Sequence, residues 1–150
     1  MCNRPPVLLN ENGSIFMDID LYQVDLIIYV LRRAGPMPRA KLMKLLFLID
    51  RELHRRYGVS AFRWRAYKYG PFSREVLDVL DAMEIYRSVE ARAEDGDVVY
   101  VLATSAPADL PPEAREAADR VLDEWGRKSL DELAEYVNGF IVPGRPPLST

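Results

Sequence analysis

The stretch 38–57 constrains the fold more than any other part of the chain. Leu42, Leu45, Leu46, Ile49 and Leu53 recur there at helical spacing, which puts them on one face of a long helix. Met43, Phe47 and Leu48 flank that stripe. Pro38 suits the first helical turn, where a missing N–H costs nothing, and Gly58 supplies the stop. The other face carries Lys44, Arg51 and Arg55, seven and four residues apart and so nearly aligned. Directly afterwards the period changes to two. Phe62, Trp64 and Ala66 alternate with Arg63, Arg65 and Tyr67, which predicts a half-buried strand.

Around this centre the other elements fall into order. A helix is predicted over 20–34, with Asp20 as N-cap, Gln23 completing a capping box, and Leu21, Val24, Ile28 and Leu31 as its stripe. Leu26, Ile27, Tyr29 and Val30 are apolar as well; a helix apolar nearly all round is covered on both sides, so it is central or lies in a dimer interface. Gly70-Pro71 breaks the strand. Ser73 caps a helix over 74–85 that packs Val76, Leu77, Leu80 and Met83, with Phe72 and Leu77 as a hydrophobic staple. Residues 89–93 and 98–103 flank Asp95-Gly96, the signal of a tight hairpin turn. After a Pro/Ala-rich linker, 104–111, come a helix from Pro112 to about Arg127 and another that Ser129 and Glu132 open and Asn138-Gly139 ends. The whole reads as one α+β, mostly helical, winged-helix-like domain with a β-hairpin wing. It occupies 18–140, after a loose lead over 1–17 with a short strand near 7–10, and before a proline-rich, extended, mobile tail over 141–150. Met17 is an alternative start.

A chain of 150 residues, 49% hydrophobic, buries roughly 68–70% of its unfolded surface. It needs no disulfide or metal to fold. The lone cysteine, Cys2, fits a reducing cytoplasm. No apolar run reaches the ~18 residues of a membrane span, and the N-terminus has no secretory signal pattern.

The run Lys41-Leu42-Met43-Lys44-Leu45-Leu46-Phe47-Leu48-Ile49-Asp50, followed by Tyr67-Lys68-Tyr69-Gly70-Pro71-Phe72-Ser73, resembles the Panacea domain of phage and bacterial antitoxins. It is equally similar to a set of archaeal and bacterial winged-helix-like proteins. Those families pair a KLxKLLY helix with a YGP turn and a helix just after it. Lys41, Leu42, Lys44, Leu45, Tyr69, Gly70, Pro71 and Ser73 carry the structural motif here. Met43 stands where glutamine is common and Phe47 where tyrosine is common. Leu130-Asp131-Glu132-Leu133-Ala134-Glu135-Tyr136-Val137 is similar to the closing helix. The resemblance implies a non-enzymatic module, and its antitoxin members imply a protein partner.

Motifs of catalysis are missing: there is no GxGxxG, Walker A loop, HExxH or GxSxG. Asp50 and His54 lie one turn apart and share a helix face. They form a hydrogen-bonded surface pair or half a metal site, but zinc needs three or four ligands and no other histidine exists. The reading calls for no catalytic, cofactor-binding or metal-binding residue and no cofactor. Trp64 and Trp125 read as core anchors. Arg115–Asp119 and Glu116–Arg120 read as i,i+4 ion pairs on a solvated face.

Charge is the informative feature. From Arg39 to Arg74 there are ten basic residues and two acidic ones; from Glu75 to Glu135 there are six basic and seventeen acidic. A groove-reading winged helix presents its third helix and its wing to DNA. Here Arg74, Asp78 and Asp81 occupy that helix face, with Glu75 and Glu84 nearby, and Glu94-Asp95-Gly96-Asp97 the wing tip, so phosphate is repelled from both. The basic residues Lys44, Arg51, Arg55, Arg63 and Arg65, with Tyr67, are the candidate binding set. Three readings stand for them: pairing with the chain's own acidic half, receiving an acidic protein surface, or binding nucleic acid in another orientation. The favoured function is an interaction module of antitoxin or regulator type with a protein partner. Nucleic acid is the second reading and an enzyme a distant third. The apolar 20–34 helix adds a homodimer as an expectation.

Overall fold

The structure is a computed structural model that describes residues 8–9, 15–17, 20–68 and 70–148. Tyr69 and Cys2 lie outside the described residues, as does most of the 1–17 lead. Two short strands, β1 (Leu8–Leu9) and β2 (Ile15–Met17), pair antiparallel at the N-terminal side.

Helix α1 (Leu21–Ala34) starts where Asp20 Oδ1 accepts the Tyr22 N–H at 3.0 Å. The predicted capping box does not close, because Gln23 turns inward and its Nε2 donates to the Ala61 carbonyl at 2.7 Å. The buried face is Gln23, Leu26, Ile27, Ile28, Val30 and Leu31, which keeps Ile28 and Leu31 of the predicted stripe but not Leu21 or Val24. Leu21 is 54% exposed. A helix apolar on every side has no unique face in its sequence; its neighbours α3, α4 and β7 decide the rotation. Those neighbours cover much of the helix within one chain and leave Leu21 exposed and Val24 half-buried.

Strand β3 (Met37–Pro38) leads into α2 (Arg39–Tyr57), which Gly58 ends. Ten α2 residues are buried, Lys44 and Asp50 among them. On one side α2 packs on α4 and α5; on others it meets β3, β5 and β7. The alternation after it holds only through Phe62 and Trp64. Strand β4 (Arg65–Tyr67) is exposed along its length and begins after both buried aromatics. β4 ends before Gly70-Pro71, which belong to a second strand: β5 (Gly70–Phe72) pairs antiparallel with β4, Arg65 facing Phe72 and Tyr67 facing Gly70. Gly70 has φ +118°, a backbone state closed to most side chains.

Ser73 Oγ accepts the Val76 N–H and opens α3 (Arg74–Ile85). Leu77 and Phe72 are only half-buried, and Phe72 stacks edge-on against Tyr67, with centroids 5.0 Å apart. Val79 and Ala82 take the buried positions beside Val76, Leu80 and Met83. Strands β6 (Val89–Glu94) and β7 (Asp97–Leu102) form the hairpin. Asp95 and Gly96 at its tip both have positive φ, the signature of a two-residue type I′ turn. Its sheet has three strands, ordered β3-β7-β6, because Met37 and Pro38 pair with Tyr100 and Val99.

Helices α4 (Pro112–Trp125) and α5 (Leu130–Asn138) complete the α+β domain, with Ser129 Oγ accepting the Glu132 N–H. Of the two predicted pairs on α4, Glu116–Arg120 forms at 2.9 Å. Asp119 instead joins Arg33 and the Tyr29 hydroxyl, and Arg115 donates to the Leu110 carbonyl. The tail is not simply extended: 142–148 contains turns, Pro147 is buried and Leu148 packs on the core. Leu46, Ile49 and Trp64 meet in that core, with Phe72 against its edge. Among the described residues no helix is long and apolar enough to cross a membrane.

Candidate functional site

Asp50 organises the region between α2 and β4. It sits in the middle of α2 with no exposure. Its Oδ1 accepts the Ala61 N–H at 2.7 Å; its Oδ2 accepts the Phe62 N–H at 2.9 Å and the Trp64 Nε1–H at 2.7 Å. Gln23 holds the same turn from α1 through the Ala61 carbonyl. Trp64 is then fixed edge-on against Phe47 and Phe62. Burial pushes the Asp50 carboxyl up to about 6, against the pull of those three N–H donors, with the Glu75 charge adding to the rise. Asp50 is therefore no partner for His54. Among the described residues no group of three His, Cys, Asp or Glu side chains could hold a metal.

The clasped turn delivers the β4–β5 ribbon against the first half of α2. There the ribbon, the start of α2 and the hairpin tip enclose an open groove of about 590 Å³. Pro38, Met43, Tyr67, Pro71, Phe72 and Val98 supply its apolar walls, and Gly96-Asp97 close one side. Arg39 lines it too, held by donation to the Tyr100 hydroxyl at 2.8 and 3.1 Å. Lys44 is the group that stands out. It is 8% exposed, lines the groove, and makes no hydrogen bond or ion pair among the described residues. Burial draws its pKa below the usual lysine range. Gly70 keeps the space beside it open: a Cβ there would lie 3.0 Å from Asn138 Oδ1 and 3.8 Å from Lys44 Nζ.

The candidate binding residues do not share one strip. Lys44 and Tyr67, the latter 56% exposed, line the groove. Arg51 lies on a different side, its guanidinium 3.7 Å from the Phe140 ring centroid in a crevice shared with Trp125 and Tyr136. Its Nε is buried without a hydrogen-bond partner, and desolvation lowers its pKa. Arg55, Arg63 and Arg65 are exposed, and none makes an ion pair among the described residues. Among the described residues, Arg56 reaches the acidic half toward Glu116 at 3.9 Å, besides Glu52 at 2.9 Å, and Arg74 pairs with Asp78 at 3.3 Å. Of the motif residues, Leu42 and Leu45 are core, Lys41 is half-buried, Gly70 and Pro71 shape the groove, and Ser73 caps α3. Met43, Phe72, Val98 and Arg39 were missed as site residues. Their meeting depends on β3 pairing with β7, a two-residue contact that leaves no periodic signal.

Fold and groove together define an α+β domain centred on one buried helix, with a surface cleft beside it. The antitoxin SocA-like, Panacea domain family matches residues 42–140, from the start of α2 to just past α5, and the chain belongs to that family. No curated protein and no solved structure matches it.

Proposed function

We propose that the chain is a non-enzymatic, winged-helix-like interaction module of antitoxin type whose α2 and β4–β5 face engages a protein partner. Family membership supports the antitoxin type. The order α1, β3, α2, α3, hairpin, with sheet order β3-β7-β6, supports the winged-helix reading. The observation that carries the surface assignment is the state of Arg55, Arg63 and Arg65. They are exposed and without an ion pair among the described residues, and Arg65 shares β4 with an exposed Tyr67, in a molecule rich in carboxylates. Arg and Tyr are favoured at the centres of protein interfaces.

Nucleic acid is the second reading, favoured by the same cations. Against it stand Asp78, Asp81 and Glu84 exposed on or at the end of α3, and Glu94, Asp95 and Asp97 at the hairpin tip. A titration with duplex DNA at low and moderate salt separates the two. The protein-partner reading expects no binding in the range of about 10⁻⁴–10⁻⁶ M that phosphate contacts ordinarily give. Salt-dependent binding that Arg63→Glu/Arg65→Glu abolishes would establish the second reading instead.

A further inference from the structure

Burying a lysine ammonium without a counter-charge costs free energy, and proteins ordinarily pair such groups. Lys44, mostly buried and without a hydrogen bond or ion pair among the described residues, stands at the wall of a groove that is otherwise mostly apolar. The ribbon packs on α2 beside it, and a Cβ at Gly70 would touch its Nζ at 3.8 Å and crowd Asn138 Oδ1 at 3.0 Å. The groove's volume of about 590 Å³ falls within the ~300–1,000 Å³ of ordinary ligand pockets. Its walls ask for apolar side chains, and Lys44, the groove cation without a hydrogen-bond partner among the described residues, asks for a negative charge.

We propose that this groove binds a peptide segment of the protein partner in which a single carboxylate stands between apolar side chains, the carboxylate meeting Lys44 Nζ. This rests on the protein-partner reading above. Charge complementarity selects the occupant. A polyanion would bring further charges against Asp97, which lines the groove, and against Glu94 and Asp95 at the same tip. A lone carboxylate satisfies Lys44 and avoids them. The apolar neighbours of that carboxylate cover Met43, Phe72 and Val98, while Tyr67 closes over them from the ribbon.

The test uses the full chain and three pools of N-acetylated, C-amidated tripeptides. Each pool carries Leu, Phe, Tyr or Met at the outer positions and Glu, Gln or Lys at the centre. Binding is read from the NMR methyl signals of Met43 and Val98. The Glu pool is expected to shift both, and to bind about tenfold or more tighter than the Gln pool, as for a hydrogen bond to a charged group. Lys44→Met removes that preference; the apolar replacement suits the site, and a thermal melt verifies folding. Tyr67→Ala, at an exposed position, weakens binding with the fold intact and serves if the first variant does not fold. Equal binding of the Glu and Gln pools, no shift with any pool at millimolar concentration, or stronger shifts from a single-stranded oligonucleotide would overturn the inference. So would a partner complex that Arg63→Glu/Arg65→Glu abolishes and Lys44→Met leaves unchanged; the module reading would then survive the loss of the groove.

Discussion

Replacing Asp50 by asparagine separates two opposed effects at the centre of α2. Full burial disfavours the charged carboxylate; three N–H donors, from Ala61, Phe62 and Trp64, favour it. Burial wins, and the carboxyl rises from 3.8 to about 6. Below the lower value the group is protonated in both folded and unfolded chains. As pH rises through 3.8 toward 6, the unfolded chain releases its proton first, so the unfolded state is favoured. The wild type should lose about 3 kcal/mol from this one group by pH 7, at ~1.4 kcal/mol per pKa unit. Asparagine cannot titrate and loses nothing. The variant should therefore gain on wild type by about 2 kcal/mol between pH 4 and pH 7, measured by urea melts with an unchanged slope. Other carboxylates titrate alike in both proteins and cancel. A difference that stays constant, or wild type gaining with pH, would mean that the three donors outweigh burial and the reasoning is wrong. Asp50→Ala adds a further cost: it leaves the Phe62 N–H and the Trp64 indole N–H buried without an acceptor. At low pH, where the wild-type carboxyl is protonated, that should cost about 2–6 kcal/mol, from ~1–3 kcal/mol per orphaned donor, and the gap to wild type should narrow as pH rises.

Leu46 has no exposure, and Leu46→Ala should cost about 2–5 kcal/mol in denaturant melts; a loss below 1 kcal/mol would mean the core around α2 is looser than described. Gly70→Ala forces a side chain into φ +118° with its Cβ 3.0 Å from Asn138 Oδ1, so about 1–3 kcal/mol of stability should go, and an unchanged melt would refute the ribbon geometry. The Tyr22 hydroxyl is pushed up to about 12, by burial first and then by the charges of Asp50, Asp20 and Glu113. Ultraviolet titration should show a late phenolate component that Tyr22→Phe removes, and stability should fall above about pH 10, where the unfolded chain ionises first.

The helices and hairpin were legible because each has local punctuation: Asp20, Ser73 and Ser129 as caps, Gly58 as a stop, Asp95-Gly96 as a turn. Rotation and pairing were less so. Gln23 reads as a capping residue by position, yet its contact is with Ala61, 38 residues away. Asp50 reads as one of a surface pair with His54, because nothing local shows that a later turn will bring three N–H donors to it. Lys44 and Tyr67 were legible as candidates, but as part of a solvent-facing strip rather than as the lining of a groove. The covering of that strip by β5 and α5 is a tertiary event. Arg51 shows the same effect, since Phe140 lies far along the chain.

Where the partner sits, and whether it is protein, is most directly read by a photo-crosslinking residue placed at position 65 on β4 and, separately, at position 81 on α3, in the cells that make the protein. The account predicts an adduct at position 65 that protease digests and nuclease does not, with none at position 81. A nuclease-sensitive adduct at position 65, or an adduct confined to position 81, would contradict it.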